Sequence, residues 1–230
     1  SGGLVWMALE LLPGPSLLER AESLGPLPES FVLSCALQAL RALEHLAKLK
    51  VLHGDVKPSN LLLAGEGAVK LSDLGFASRI GKDALGATGG YTFGTPQYIA
   101  PEQARMDSRL DARADLYALG ATLFHLLTGA PPFPGASAEE ALRFQVTKPY
   151  DFERLETLGV SREACAFLVS LLAKVPSARP PSAAAARARL EGILEARRAD
   201  SLPKDLPTFL PPSGRRGPVR GSVRRPPRRR

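Results

Sequence analysis

Apolar spacing divides the chain into strand-length and helix-length pieces. Leu4 to Leu12 (LVWMALELL) is an apolar run of strand length that Pro13-Gly14-Pro15 stops. Ser30 precedes apolar residues at Val32, Ala36, Ala39, Leu40, Leu43, Leu46 and Ala47. Those spacings of three and four predict an amphipathic helix capped by Ser30 and reaching about Lys50. Leu61 to Leu63 and Val69 to Leu71, separated by Ala-Gly-Glu-Gly-Ala, predict a small hairpin. Residues 79–99 are rich in Gly, Thr and Tyr without either period, which predicts a long loop, and a loop of that length in a compact domain is usually functional. Helices are predicted at roughly 112–128, 137–145, 161–173 and 182–198. From Ser201 onward prolines and arginines replace the periodicity, and residues 199–230 are expected to be a disordered tail. The pattern is mainly α-helical with few strands, an α+β chain with no internal repeats.

Composition narrows the class. The 230 residues suffice for one large domain, or one domain with an appendage. Cys35 and Cys165 are too few for a disulfide scaffold, fall at helical apolar positions and read as core fillers in a reducing, cytoplasmic setting. The longest apolar run, Ala114 to Leu127, contains Asp115 and His125 and falls short of the ~20 residues a spanning helix needs. No basic-then-apolar leader pattern opens the chain, and its start at Ser-Gly-Gly-Leu-Val suggests a sequence entered in the middle. The net charge of +7 is unevenly spread. Residues 201–230 hold Lys204 and eight arginines against Asp205, so residues 1–200 together carry −1. The tail, above all residues 213–230, is therefore a candidate polyanion contact or a nuclear address, although no aromatic residue interleaves its arginines.

Candidate chemistry lies in three short motifs. His53-Gly54-Asp55-Val56-Lys57-Pro58-Ser59-Asn60 follows the long helix, Asp73-Leu74-Gly75 follows the hairpin, and Gly94-Thr95-Pro96-Gln97-Tyr98-Ile99-Ala100-Pro101-Glu102 closes the long loop. Asp55 and Asn60 share one loop, and the hairpin can return Asp73 beside them. An amide oxygen and a carboxylate are hard ligands that suit Mg²⁺, Lys57 adds a compact positive charge, and one carboxylate is left to orient a hydroxyl. Metal, cation and carboxylate together suit phosphoryl transfer. Taken singly, Asp55 or Asp73 could equally be an Asx-turn residue, and His53 reads as a packing and hydrogen-bonding residue rather than a base.

In this order the motifs resemble the C-terminal lobe of a eukaryotic-type serine/threonine protein kinase, whose catalytic loop, metal motif and Ala-Pro-Glu sequence they parallel. Asp115-Leu116-Tyr117-Ala118-Leu119-Gly120, Leu127-Thr128-Gly129-Ala130-Pro131-Pro132-Phe133 and Ser177-Ala178-Arg179-Pro180 extend the likeness over residues 1–198. The resemblance implies a kinase-like C-lobe with a hinge strand and hairpin, and ATP and Mg²⁺ as cofactors. A protein Ser/Thr hydroxyl would be the substrate. Asp55 would orient that hydroxyl, Lys57 would neutralise the transferring group, and Asn60 and Asp73 would hold Mg²⁺. Leu9, as gatekeeper, with the backbone of Glu10 and Leu12 would face adenine, and Leu62 would pack beneath it. Gly94 and Thr95 would seat the substrate. His53, Glu102, Asp115 and Arg179 would be structural, with Glu102 and Arg179 as a buried ion pair and Asp115 bracing the catalytic loop.

The sequence also departs from the pattern. Gly54 stands where most kinases have an Arg that pairs with an activation-segment phosphate, so phosphorylation at Ser78, Thr88 or Thr92 is not expected to be a switch. Leu74 replaces Phe but keeps an apolar anchor. Ser16 and Ser59 fall where basophilic kinases often carry acids. The Gly-rich loop, strand Lys and partner Glu of the family would precede Leu4 and are not among these residues. The 230 residues alone are therefore expected to be inactive or very weak, with activity belonging to a parent enzyme. The alternative expectation is a non-catalytic binding lobe.

Overall fold

The computed structural model describes residues 8–65, 67–80, 94–107 and 110–201. Expectations for Leu4 to Met7, for Thr88 and Thr92, and for the basic tail beyond Ser201 fall outside those residues.

Helices carry the fold: α1 (Leu17–Leu24), α2 (Glu29–Lys48), α3 (Pro101–Ala104), α4 (Arg113–Thr128), α5 (Ala138–Thr147), α6 (Glu153–Thr157), α7 (Arg162–Leu171) and α8 (Ala183–Ser201). Four two- or three-residue strands, β1 (Val51–Leu52), β2 (Leu61–Leu63), β3 (Val69–Leu71) and β4 (Ser78–Arg79), form two antiparallel pairs. The predicted hairpin is β2 with β3, in the register Leu61↔Leu71, Leu62↔Lys70 and Leu63↔Val69. The second pair, Val51↔Arg79 and Leu52↔Ser78, was not legible as strand. It shortens the loop predicted from residue 79 by tying its start to the end of α2.

Capping explains several helix starts. Ser16 with Glu19 and Ser137 with Glu140 form reciprocal boxes, and the Ser161 hydroxyl accepts from the Ala164 amide. The long helix departs from expectation at both ends. It begins at Glu29 after Pro28 rather than at a Ser30 cap, and it stops at Lys48. The Glu29 carboxylate is turned outward to the amide and hydroxyl of Ser161 at 2.9 Å each, and to Arg197, which ties α2 to the start of α7 and the end of α8.

The core is built around α4, whose residues from Ala114 to Thr128 are all buried. It packs against α2 on one side and α7 on another, while α2 also lies against α8 and β3. A helix buried all round has no amphipathic stripe, which accounts for its reading as one apolar run. Cys35 and Cys165 lie in this core as free thiols, and burial pushes the Cys35 thiol up to about 12.

The strand expected over Leu4 to Leu12 is absent in its described part, because residues 8–12 form no regular element. The chain first pairs at Gly14 to Ser16. The Gly14 amide donates to the Leu63 carbonyl at 3.1 Å, the Leu63 amide to the Pro15 carbonyl at 3.0 Å, and Ser16 bridges Leu62. Pro13 and Pro15 have no N–H to continue a ladder, which confines pairing to these few contacts. Among the described residues, no helix is long and apolar enough to cross a membrane.

Candidate active site

The loop His53–Asn60 lies between β1 and β2, and Asp73 lies between β3 and β4. The two small strand pairs therefore fold residues 51–79 back on themselves. The Asn60 carbonyl accepts from the Ser72 amide at 2.9 Å and from the Ser72 hydroxyl at 3.1 Å, which brings Asp73 next to the loop.

α4 sets the loop's backbone from below. The Asp115 carboxylate accepts from the His53 amide at 2.8 Å through Oδ2 and from the Gly54 amide at 2.9 Å through Oδ1. Burial pushes this carboxyl above its ordinary range, and the two amide bonds pull it back. The Thr122 hydroxyl donates to the Val56 carbonyl at 3.2 Å. The His53 ring is fully buried, with Nε2 3.1 Å from the Ser72 carbonyl and Nδ1 accepting from the Asp55 amide at 3.3 Å. It fixes loop shape and does not reach the surface.

Four donors converge on the buried Asp55 carboxylate. Oδ1 accepts from the Thr95 amide and the Thr95 hydroxyl, each at 2.9 Å. Oδ2 lies 2.6 Å from Lys57 Nζ and 3.3 Å from the Asn60 amide nitrogen. Lys57 Nζ also donates to Thr95 Oγ1 at 2.8 Å, which closes a ring of Asp55, Lys57 and Thr95. The Asn60 amide nitrogen is held further by the Asp55 carbonyl at 2.8 Å, so its Oδ1 faces away from Asp55. Asp73 is exposed, with a left-handed φ of 65°, and its Oδ1 accepts from the Gly75 amide at 3.0 Å.

Two glycines make these approaches sterically feasible. At Gly94 φ is 96°, and a Cβ there would stand 2.8 Å from the Gly54 carbonyl oxygen and 2.9 Å from Ile99 Cγ2. At Gly54 φ is 82°, and a Cβ would stand 2.8 Å from the Phe76 carbonyl oxygen. Phe76, which follows Asp73-Leu74-Gly75, and Gly54, which precedes Asp55, thus meet backbone to backbone.

The segment that carries Thr95 is anchored behind it. Glu102 of α3 and Arg179 form a bidentate pair at 2.6 and 2.8 Å, with side chains 6% and 0% exposed. Arg179 also donates to the carbonyls of Ala173 and Arg113, both at 2.8 Å, and its guanidinium lies 4.8 Å from the Tyr117 ring centre. Tyr98 meets His125 through its hydroxyl at 2.8 Å from Nδ1. Burial pushes the His125 ring down to about 4 and the Tyr98 phenol above its ordinary value.

Leu9 is 76% exposed and Leu12 half-buried, while Glu10 is engaged through its side chain with Lys70 at 2.5 and 2.6 Å. Leu62 is half-buried on β2. Sequence reasoning missed Thr122, His125, Gln145 and Tyr117. Gln145 shares the inward face of α5 with the buried Ala141 four residues earlier, but no motif in the sequence marks it.

Residues 2–189 match the protein kinase domain. The chain is similar to the serine/threonine-protein kinase PknB of Mycobacterium leprae, at 34% identity over 190 residues that are 83% of this chain and 30% of that protein. It is similar to the DNA damage-responsive serine/threonine-protein kinase RqkA of Deinococcus radiodurans, at 38% identity over 167 residues, 70% of this chain and 25% of that protein. The serine/threonine-protein kinase pkn3 of Myxococcus xanthus is 34% identical over 212 residues, 88% of this chain and 39% of that protein. The chain thus spans well under half the length of these relatives. A domain match that runs through every motif around Asp55, Asp73 and Glu102 leads to one conclusion: the chain belongs to the protein kinase family.

Proposed function

We propose that this chain carries the catalytic loop of a serine/threonine protein kinase, which transfers the γ-phosphoryl group of ATP to protein Ser or Thr hydroxyls. The observation that carries the reading is the ring of Asp55, Lys57 and Thr95, with Asn60 beside it. A carboxylate has about four acceptor positions, and all four on Asp55 are taken. A substrate hydroxyl therefore reaches Asp55 by displacing one donor. Lys57 is the donor able to leave, because its side chain is 21% exposed while the Thr95 amide is fixed in the backbone. Its departure frees Oδ2 to accept the hydroxyl proton and frees an ammonium to meet negative charge. Thr95 keeps Oδ1 in place throughout, so the carboxylate does not rotate.

The donor set fits Mg²⁺. Asn60 Oδ1 and the Asp73 carboxylate are hard oxygens on segments that the Ser72 bonds to the Asn60 carbonyl hold together, and Mg²⁺ is usually held by one or two such side chains plus water and substrate phosphates. When bound, Mg²⁺-ATP supplies the phosphoryl group and the metal neutralises charge on its phosphates. Leu9, Leu12 and Leu62, with the backbone at Glu10, would take the adenine.

Asp55→Asn in the natural full-length protein tests this reading. Losing a general base typically costs ~10²–10⁴ in rate; the exchange keeps the shape but turns an NH₂ toward the donors Lys57 and Asn60, so circular dichroism accompanies the assay to show that the variant is folded. A wild-type rate retained by the variant would refute the assignment. A wild-type protein without Mg²⁺-ATP-dependent transfer would refute the kinase reading itself.

A further inference from the structure

Beneath the Thr95 segment lies a hydrogen-bond chain that the assigned roles do not use. Gln145, on α5, is fully buried. Its Nε2 is 2.7 Å from the Gln97 carbonyl and 3.3 Å from the Pro96 carbonyl, and its Oε1 is 2.7 Å from the Tyr117 hydroxyl and 3.1 Å from the Tyr150 hydroxyl. Two carbonyl oxygens can only accept, so the amide nitrogen must face them and the amide oxygen must face the tyrosines. Lys174 Nζ donates to the Tyr117 hydroxyl at 2.9 Å, so that hydroxyl's own proton points to Gln145. Every donor in the series Lys174, Tyr117, Gln145 is thus directed toward residues 96 and 97, an arrangement in which each bond polarises the next. The tyrosines are themselves locked, with the Tyr150 ring edge-on to Tyr117 and Phe124 at 6.1 and 5.4 Å.

Pro96 and Gln97 directly follow Thr95, whose amide and hydroxyl both hold Asp55 Oδ1. Before Thr95 stands Gly94, which imposes no side-chain restraint of its own. We propose that Gln145 is a positioning residue for phosphoryl transfer, whose carboxamide holds the 96–97 backbone so that Thr95 meets Asp55. This rests on the kinase reading above and adds to it where the substrate seat gets its rigidity: from α5 through one amide. Gln145 touches neither the reacting atoms nor the residues placed at ATP, so the effect of removing it should fall on the protein substrate.

The decisive variant is Gln145→Glu, which keeps the shape. When ionised, its second oxygen confronts the carbonyls of Pro96 and Gln97 and repels them. When protonated, its O–H can donate to one carbonyl while the other oxygen still accepts from the tyrosines. Burial favours the protonated form. The groups facing that carboxyl are the Tyr117 and Tyr150 hydroxyls on one side and the two carbonyls on the other. The Lys174 ammonium and Arg179 guanidinium lie behind Tyr117.

The experiment measures peptide phosphorylation by the natural full-length protein as wild type and Gln145→Glu, from pH 6 to 9, with KM determined for peptide and for ATP. Gln145→Met, which cannot donate to the two carbonyls and accepts only weakly from the tyrosines, serves as a second variant. At the alkaline end kcat/KM for peptide should fall ~10- to 100-fold, the scale of a small misplacement of reacting groups. KM for ATP should stay unchanged, and activity of Gln145→Glu should recover toward acid pH relative to wild type while Gln145→Met does not recover. A KM for ATP that rises along with the loss for peptide, or equal pH profiles for the two variants, would overturn the positioning role. An active wild type with fully active variants would refute this proposal alone. An inactive wild type would refute the kinase reading and this inference with it.

Discussion

Replacing Glu102 by Gln removes one charge from a pair that has almost no water around it. The Arg179 side chain is 0% exposed and that of Glu102 6%, and two short contacts of 2.6 and 2.8 Å join them. Gln keeps the volume and one acceptor oxygen, but its NH₂ confronts a guanidinium that has only donors. Arg179 retains the carbonyls of Ala173 and Arg113, which neutralise no charge. Breaking a buried pair from one side costs about 3–5 kcal/mol, and the retained carbonyl bonds place Glu102→Gln near 3 kcal/mol. Arg179→Met, which leaves a carboxylate buried alone, should cost at least as much. Glu102→Gln with Arg179→Met, which leaves neither charge, should cost less than the two single losses summed, by a coupling of ~1–3 kcal/mol in the double-mutant cycle. Urea unfolding followed by far-ultraviolet circular dichroism measures all four proteins. A Glu102→Gln variant within ~0.5 kcal/mol of wild type would refute the view that this pair anchors the segment bearing Thr95.

Two further outcomes follow from the same packing. Gly94→Ala forces a Cβ to within 2.8 Å of the Gly54 carbonyl at a φ of 96°, and the Gly54 amide is already held by Asp115. Left-handed strain and overpacking together should cost ~2–4 kcal/mol, and a melting temperature equal to wild type would contradict this. The His125 ring, pushed down to about 4 by burial, stays neutral in the folded chain while the unfolded chain takes a proton near its ordinary 6.5. Stability from this group is therefore present above about pH 6.5 and is lost as pH falls toward 4, by on the order of 2 kcal/mol after allowance for solvent screening. His125→Gln keeps an acceptor for Tyr98, so chemical denaturation at pH 7.5 and pH 4.5 should show a smaller loss for the variant than for wild type. Equal losses would place the titration elsewhere.

Sequence legibility followed the locality of each interaction. α5 and α7 could be read from local capping and period, since Ser137 and Ser161 open them within one turn. The β2–β3 hairpin was equally local. By contrast, β1 and β4 pair two residues with two others 26 to 28 positions on, and such short segments have no period to detect. α1 carries a readable start signal in Ser16 and Glu19, which the prolines at 13 and 15 obscured. For the site, Asp55, Lys57, Asn60 and Thr95 were legible as motif residues, and the fold brings them within hydrogen-bond reach. Gln145 and Lys174 were not, because their roles depend on partners that only tertiary packing supplies.

The central claim is that Asp55 serves transfer to Ser and Thr hydroxyls, and phosphoamino-acid analysis of a protein substrate tests it most directly. The natural full-length protein is incubated with γ-labelled ATP and Mg²⁺, as wild type and as Asp55→Asn. Label on serine and threonine, dependent on Mg²⁺ and lost in the variant, is the predicted result. No label with wild type, label on tyrosine alone, or equal label from the variant would contradict it.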